Sequence, residues 1–164
     1  MESPTNRIEH TDASDQEKKE ALASVEVRLL AEQEFEDFSA ILDELNDEPL
    51  EPETKQRLKE DFIRGRFAGL ILREEDKLAG IAVMVDGYSA VHARKVLNLD
   101  ELYIRKEFRS KGLGKALFDH VVEYARKEKH MRLEWRTGKD NEAAQSLYSQ
   151  YETDSDWKWY GMLL

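Results

Sequence analysis

Two hydrophobic rhythms alternate along the chain, one of period two and one near 3.6, and their succession predicts the elements. Val25-Glu26-Val27-Arg28-Leu29 alternates and reads as a first strand. From Glu32 to Leu45, Phe35, Phe38, Ile41, Leu42 and Leu45 recur at helical spacing. Pro49 and Pro52 interrupt the chain, and Glu53 to Arg64 restarts as a second helix. Phe67 to Arg73 and Leu78 to Val85 read as two strands around a Glu74-Glu75-Asp76-Lys77 hairpin. A loop from Gly87 to Lys95 then leads into a strand from Val96 to Ile104, rich in β-branched, aromatic and aliphatic residues. Downstream, Leu113, Leu117, Val121 and Tyr124 keep helical spacing, with Lys115, Asp119, Glu123 and Lys127 mostly on the other side. Met131, Leu133 and Trp135 alternate with Arg132, Glu134 and Arg136 as a further strand. Asn141 to Gln150 is a short helix, and Asp156 to Leu164, with Trp157, Trp159 and Tyr160, reads as a closing strand. The order β-α-α-β-β-β-α-β-α-β predicts a mixed sheet flanked by helices.

The junction at Arg109-Ser110-Lys111-Gly112-Leu113-Gly114-Lys115-Ala116 is the most informative stretch, because a strand feeds it and an amphipathic helix leaves it. Glycines at a helix start let the backbone approach a ligand and leave N–H groups pointing outward, where the helix dipole favours an anion. Between Arg105 and Lys115, five bases (Arg105, Lys106, Arg109, Lys111, Lys115) stand against one acid, Glu107, in a chain of net charge −10. The bland alternative is a solvated basic turn, since short glycine patterns are weak signals. A P-loop fits poorly: Arg109 holds its first glycine position and Ala116 its hydroxyl position. A dinucleotide fingerprint would need a third glycine near Leu117.

Composition narrows the chemistry further. Hydrophobic residues make up 40% and charged residues 37%, as expected for a soluble globular protein of a single domain over 25–164, preceded by a polar tail. That tail, residues 1–24, carries six acids and three bases and reads as mobile. It has no apolar core, so it does not read as a secretory signal, and no run approaches the roughly 20 apolar residues of a membrane span. A cytoplasmic location and no membrane partner are expected. With no cysteine, disulfides, thiolate zinc sites and a cysteine acyl-enzyme are excluded. His10, His92, His120 and His130 are scattered without metal-ligand spacing, so no metal is expected. The acidic balance argues against nucleic acid as a partner.

The pattern Arg-x-x-Gly-x-Gly between strand and helix resembles the acetyl-CoA pyrophosphate loop of the GNAT N-acetyltransferase superfamily. Three further blocks extend the likeness: Leu99-Asp100-Glu101-Leu102-Tyr103-Ile104 before the loop, Arg132-Leu133-Glu134-Trp135 after the helix, and Asn141-Glu142-x-Ala144-x-x-Leu147-Tyr148 opening the next. With Asp156-Trp157, these resemble the diamine (spermidine/spermine) and thialysine acetyltransferase branch. The likeness implies a central, mostly antiparallel sheet of six to seven strands with about four helices, acetyl-CoA as co-substrate and a homodimer. Relatives usually place a glycine turn after the tyrosine, where this chain has Ser149-Gln150-Tyr151-Glu152-Thr153.

The resemblance also implies roles. The loop Arg109, Ser110, Lys111, Gly112, Leu113, Gly114, Lys115 and Ala116 would hold the cofactor's phosphates. Leu102, Tyr103 and Ile104 would lie along its pantetheine arm, Leu102 and Ile104 by main-chain pairing, with the N–H of Leu102 or its neighbour facing the developing oxyanion. Tyr148 would protonate the departing thiolate, and Asn141, two helical turns earlier, could face the cofactor or simply cap its helix. Asp100 and Glu101 would divide two tasks, binding the substrate ammonium and removing its proton, with Glu134 an alternative base and Trp135 beside the acceptor. Adjacent on a strand, Asp100 and Glu101 point to opposite faces unless a bulge intervenes. Each acid could equally be a solvated surface residue. From Ile41 to Asp61, eight acids (Asp43, Glu44, Asp47, Glu48, Glu51, Glu53, Glu60, Asp61) against Lys55, Arg57 and Lys59 would favour a cationic acceptor. The expected reaction is direct acetyl transfer to a small primary amine such as a polyamine or thialysine-like amino acid. The alternatives are acetylation of a protein N-terminus or lysine, and a non-catalytic CoA-binding module.

Overall fold

A computed structural model describes residues 24–46, 48–153 and 161–162. Five strands form one sheet in the order β1-β2-β3-β4-β5: β1 (Val25–Leu29), β2 (Ala68–Glu74), β3 (Lys77–Ser89), β4 (Arg94–Ile104) and β5 (Leu133–Trp135). The first four pair antiparallel, and β5 joins β4 in parallel. Among the described residues, four α-helices flank the sheet: α1 (Phe35–Leu45), α2 (Pro52–Ile63), α3 (Leu113–Lys127) and α4 (Glu142–Tyr148). Five strands among the described residues replace the six to seven expected. Of the closing strand read at Asp156 to Leu164, only Gly161 and Met162 are described, and neither lies in a strand; the rest of it, and the tail before Ser24, lie outside the described residues.

Strand alternation splits the apolar residues between two cores. On one face, Leu70, Leu72, Leu97, Leu99 and Ile104 pack against Leu113, Leu117, Phe118 and Val121 of α3. On the other, Ile71, Ile81 and Val83 pack against Phe35, Phe38 and Ile41 of α1. Burying that much apolar surface on both faces is the main force holding the layers together. At the sheet edge, Glu34 receives Arg28 in a two-pronged contact at 2.5 and 2.7 Å and Arg73 at 3.1 Å, tying β1 and β2 to the start of α1. The Arg28 hydrogen bond is the largest of the effects that hold the Glu34 carboxyl below its ordinary range, and Arg73 adds to it.

The expected loop from Gly87 to Lys95 is shorter than its composition suggested. β3 runs to Ser89 and β4 begins at Arg94, with Gly87 paired to Val96. The helix from Asn141 to Gln150 is trimmed to Glu142–Tyr148 because Asn141 caps it, accepting the amide of Ala144 at 3.0 Å.

Candidate active site

The site is built where β4 changes register. Val83 faces Glu101 but its neighbour Met84 faces Leu99, so Asp100 is an extra residue, a β-bulge. The bulge keeps Leu97 and Leu99 on the α3 face together with Leu102 and Ile104, while Tyr103 joins the opposite core. Asp100 and Glu101 therefore do not sit on opposite faces of a regular strand; both stand against one residue of β3.

The same bulge redirects the main chain. Leu97 donates its amide to Arg132 across the β4–β5 ladder at 3.0 Å. That ladder holds only Leu97 with Leu133, Asn98 with Glu134 and Leu99 with Trp135. Beyond it β4 continues for five residues, Asp100 to Ile104, without a partner on that side among the described residues. Arg105 donates its amide to Ala79 of β3 at 2.9 Å. By antiparallel alternation, Tyr103 and Glu101 also turn their main-chain groups to β3, and Leu102 and Ile104 turn theirs toward the opening. The Ile104 carbonyl is taken by Arg109 Nε at 2.9 Å. The Leu102 amide and carbonyl and the Ile104 amide remain, an edge able to pair with an extended amide-bearing chain.

The opening leads to the start of α3. Gly112, the N-cap, has φ of 83° and Ser110 has φ of 65°, both left-handed. Among the described residues, no side chain caps the helix. Ala116 donates to the Gly112 carbonyl at 3.1 Å, whereas the amides from Ser110 to Lys115 find no acceptor among the described residues. A Cβ at Gly114 would meet Ile104 and Leu147 only at 3.9 Å, so packing does not demand glycine there. The unsatisfied amides, the bare backbone at Gly114 and the positive helix end fit a diphosphate. The charged side chains contribute less than the sequence suggested. Lys111 pairs with Glu74 at 2.7 Å, Lys115 with Asp119 at 2.7 Å and Arg105 with Glu44 at 2.7 Å. Arg109, lying over the Tyr103 ring at 5.4 Å, braces the loop.

Tyr148 ends α4 half-buried among aromatic rings, 5.1 Å from Phe118 and 5.3 Å from Trp135 between centroids. Trp135 packs edge-on against Phe118 at 5.2 Å, so it serves as the wall behind Tyr148. The Tyr148 hydroxyl makes no hydrogen bond among the described residues. Burial, and secondarily the charge of Glu101, push its pKa above the ordinary tyrosine value. Glu101 is exposed by area, yet the protein around its carboxyl desolvates it. Desolvation, then the Asp100 charge, lift its pKa above the usual glutamate value, and Arg136 pulls the other way. Glu134 is held by Arg132 in an ion pair, which leaves it a poor candidate base. Arg136, read from sequence only as an exposed strand position, belongs to this charge cluster. In place of the glycine turn, Tyr151 folds back onto α3 and donates its hydroxyl to Asp119 at 2.7 Å.

Four of the eight acids in the stretch from Ile41 to Asp61 are compensated. Asp43 pairs with Lys55 at 2.5 Å, Glu60 with Arg64 at 3.3 Å, and Asp61 with Arg66 at 3.0 Å, while Glu44 holds Arg105. Asp47 lies outside the described residues. The rim attracts a cation less than its composition implied.

Comparison with known proteins agrees with this architecture. The model of the acetyltransferase (GNAT) family matches residues 31–151. The chain belongs to the GNAT acetyltransferase family. It is 32% identical over 95 residues to a thialysine N-epsilon-acetyltransferase of Caenorhabditis elegans, covering 58% of this chain and 59% of that protein. An uncharacterised N-acetyltransferase of Methanocaldococcus jannaschii is 28% identical over 102 residues, 56% of this chain and 45% of that one. The chain thus spans about half the length of these relatives. A ribosomal-protein-alanine N-acetyltransferase from Brucella melitensis superposes with a TM-score of 0.73 at 22% identity, covering 85% and 99% of the two chains. An aminoglycoside acetyltransferase from a soil metagenomic sample gives 0.68 at 14% identity, covering 86% and 98%. At such identities these structures share the fold and nothing finer. Among the described residues, no helix is long and apolar enough to cross a membrane.

Proposed function

We propose that the protein transfers an acetyl group from acetyl-CoA directly to a small primary amine. The observation that carries this reading is the bulge at Asp100, which frees one edge of β4 and points it at the uncapped start of α3. Acetyl-CoA, when bound, supplies an activated acetyl thioester and a thiol leaving group. The amides of Ser110 to Lys115 hold its diphosphate, and Leu102 and Ile104 pair with its amide-bearing arm. Asp100 holds the acceptor ammonium, and Glu101, its pKa raised toward that of an alkylamine, removes a proton through water. The neutral nitrogen bonds to the acyl carbon as the carbon–sulfur bond breaks. The Leu102 amide donates to the charge gathering on the acyl oxygen, a contribution of roughly 3 kcal/mol for such donors. Tyr148 gives its proton to sulfur and regains one from the new amide nitrogen. A raised pKa keeps that hydroxyl fully protonated at neutral pH.

Residues 25–164 act as one domain in this reading, in the cytoplasm and as a homodimer, the last open to sedimentation. A thiol-release assay with acetyl-CoA and separate panels of amines and peptides tests the reaction. Release with small amines is expected. Release with peptides alone would transfer the reading to protein acetylation, and tight CoA binding without any release would reduce the protein to a binding module.

A further inference from the structure

The two strands that part at the site carry opposite charges just beyond their last pairing, and Arg136 is near enough to Glu101 to act on its carboxyl electrostatically. Leu99 and Trp135 are the last paired residues of the parallel β4–β5 ladder. The next residues are Asp100, followed by Glu101, on one strand and Arg136 on the other. Four other bases of the site region are engaged in ion pairs: Arg105 with Glu44, Lys111 with Glu74, Lys115 with Asp119, and Arg132 with Glu134. Arg136, Asp100 and Glu101 are exposed and form no ion pair among the described residues. A plain diamine would satisfy the acids and leave Arg136 facing a second cation. An acceptor with an ammonium at one end and a carboxylate at the other would satisfy both charges. A guanidinium also presents a planar fork of donors that matches a carboxylate.

We infer that Arg136 is a specificity determinant that selects amine acceptors bearing a carboxylate, that is, free amino acids with a side-chain amine, over diamines. The inference rests on the acetyl-transfer reading above. Arg136 binds the carboxylate, Asp100 holds the reacting ammonium, and the chain between them places the nitrogen at the bulge.

Lysine, lysinamide and cadaverine share one amine-bearing chain and differ in the carboxylate, so thiol release with each isolates its effect. The wild-type protein is expected to favour lysine over both others by about 10- to 100-fold in kcat/KM, as for one charge-assisted contact. Measured on the pH plateau above the Glu101 titration, where loss of the Arg136 charge no longer changes the state of that base, Arg136→Gln should erase that preference by raising KM for lysine, and Arg136→Lys should restore part of it. Thermal melts of the variants should match wild type, because the side chain is exposed. Equal loss for all three acceptors, or an undiminished lysine preference in Arg136→Gln, would overturn the inference while leaving acetyl transfer intact. A wild-type preference for cadaverine would overturn it too. No release with any small amine would instead remove the acetyl-transfer reading, and this inference with it.

Discussion

Replacing Tyr148 with phenylalanine separates its packing from its chemistry. The ring contacts to Phe118 at 5.1 Å and Trp135 at 5.3 Å survive the change, and with them the stacking contribution of roughly 0.5–1.5 kcal/mol per pair. The hydroxyl being removed makes no hydrogen bond among the described residues, so folding stability should move by less than about 0.5 kcal/mol. CoA affinity should also hold, because the proposed diphosphate contacts come from the backbone at the start of α3. Turnover should behave differently. Removing a general acid typically costs about 10²- to 10⁴-fold, which at 1.36 kcal/mol per decade is about 3–5 kcal/mol of barrier. Burial of the phenol raises its pKa, so the wild-type rate should show no alkaline decline from this group up to pH of about 9. The assay is thiol release at saturating acceptor, with urea denaturation and CoA titration as controls. Unchanged turnover in a folded, CoA-binding variant would remove Tyr148 as the acid.

Three other perturbations test separate parts of the account. Gly112→Ala meets no atom within 4 Å but forces an L-residue to φ of 83°, so it should cost about 1–2 kcal/mol in urea unfolding and weaken CoA binding. An unchanged midpoint with normal affinity would refute the loop geometry. Glu101→Gln should abolish the rise of kcat/KM with pH that begins above the ordinary glutamate pKa; a surviving rise would assign the base elsewhere. Glu34→Gln should cost about 1 kcal/mol at neutral pH, after allowing for solvent screening of Arg28. Because the folded-state pKa of Glu34 is depressed, that stabilisation is fully present above its unfolded value and fades as pH falls through the folded one. Wild type and variant should converge in strong acid, and a gap that persists there would contradict the ion-pair origin.

Where apolar residues keep a clear period, sequence and structure agree. β1 has the limits read from its alternation, and α3 begins at the expected Leu113 and buries Leu117 and Val121. The outer halves of β3 and β4 are not legible in the sequence because Tyr88, Arg94 and Lys95 are exposed and leave no apolar alternation. Gly87 reads as a turn, yet the space a side chain would need is occupied by Asn98 at 2.7 Å. The candidate residues around the cleft were largely legible as motifs, but their arrangement was not. A bulge is a property of pairing between strands, and nothing in Asp100 itself announces one. Arg136 carries no signal in the sequence because alternation explains an exposed arginine, and its position beside the acids appears only where the β4–β5 ladder ends. The loop's charge was misjudged for a related reason: Glu74 lies 37 residues from the Lys111 it neutralises.

The central claim is that the free edge of β4 and the uncapped start of α3 together grip CoA. Amide chemical shifts followed during a CoA titration of the isotopically labelled protein test it residue by residue. The largest displacements should fall on Leu102, Ile104 and the amides from Ser110 to Lys115, all following one binding curve. Saturable binding that leaves those amides in place and moves a different surface would contradict it.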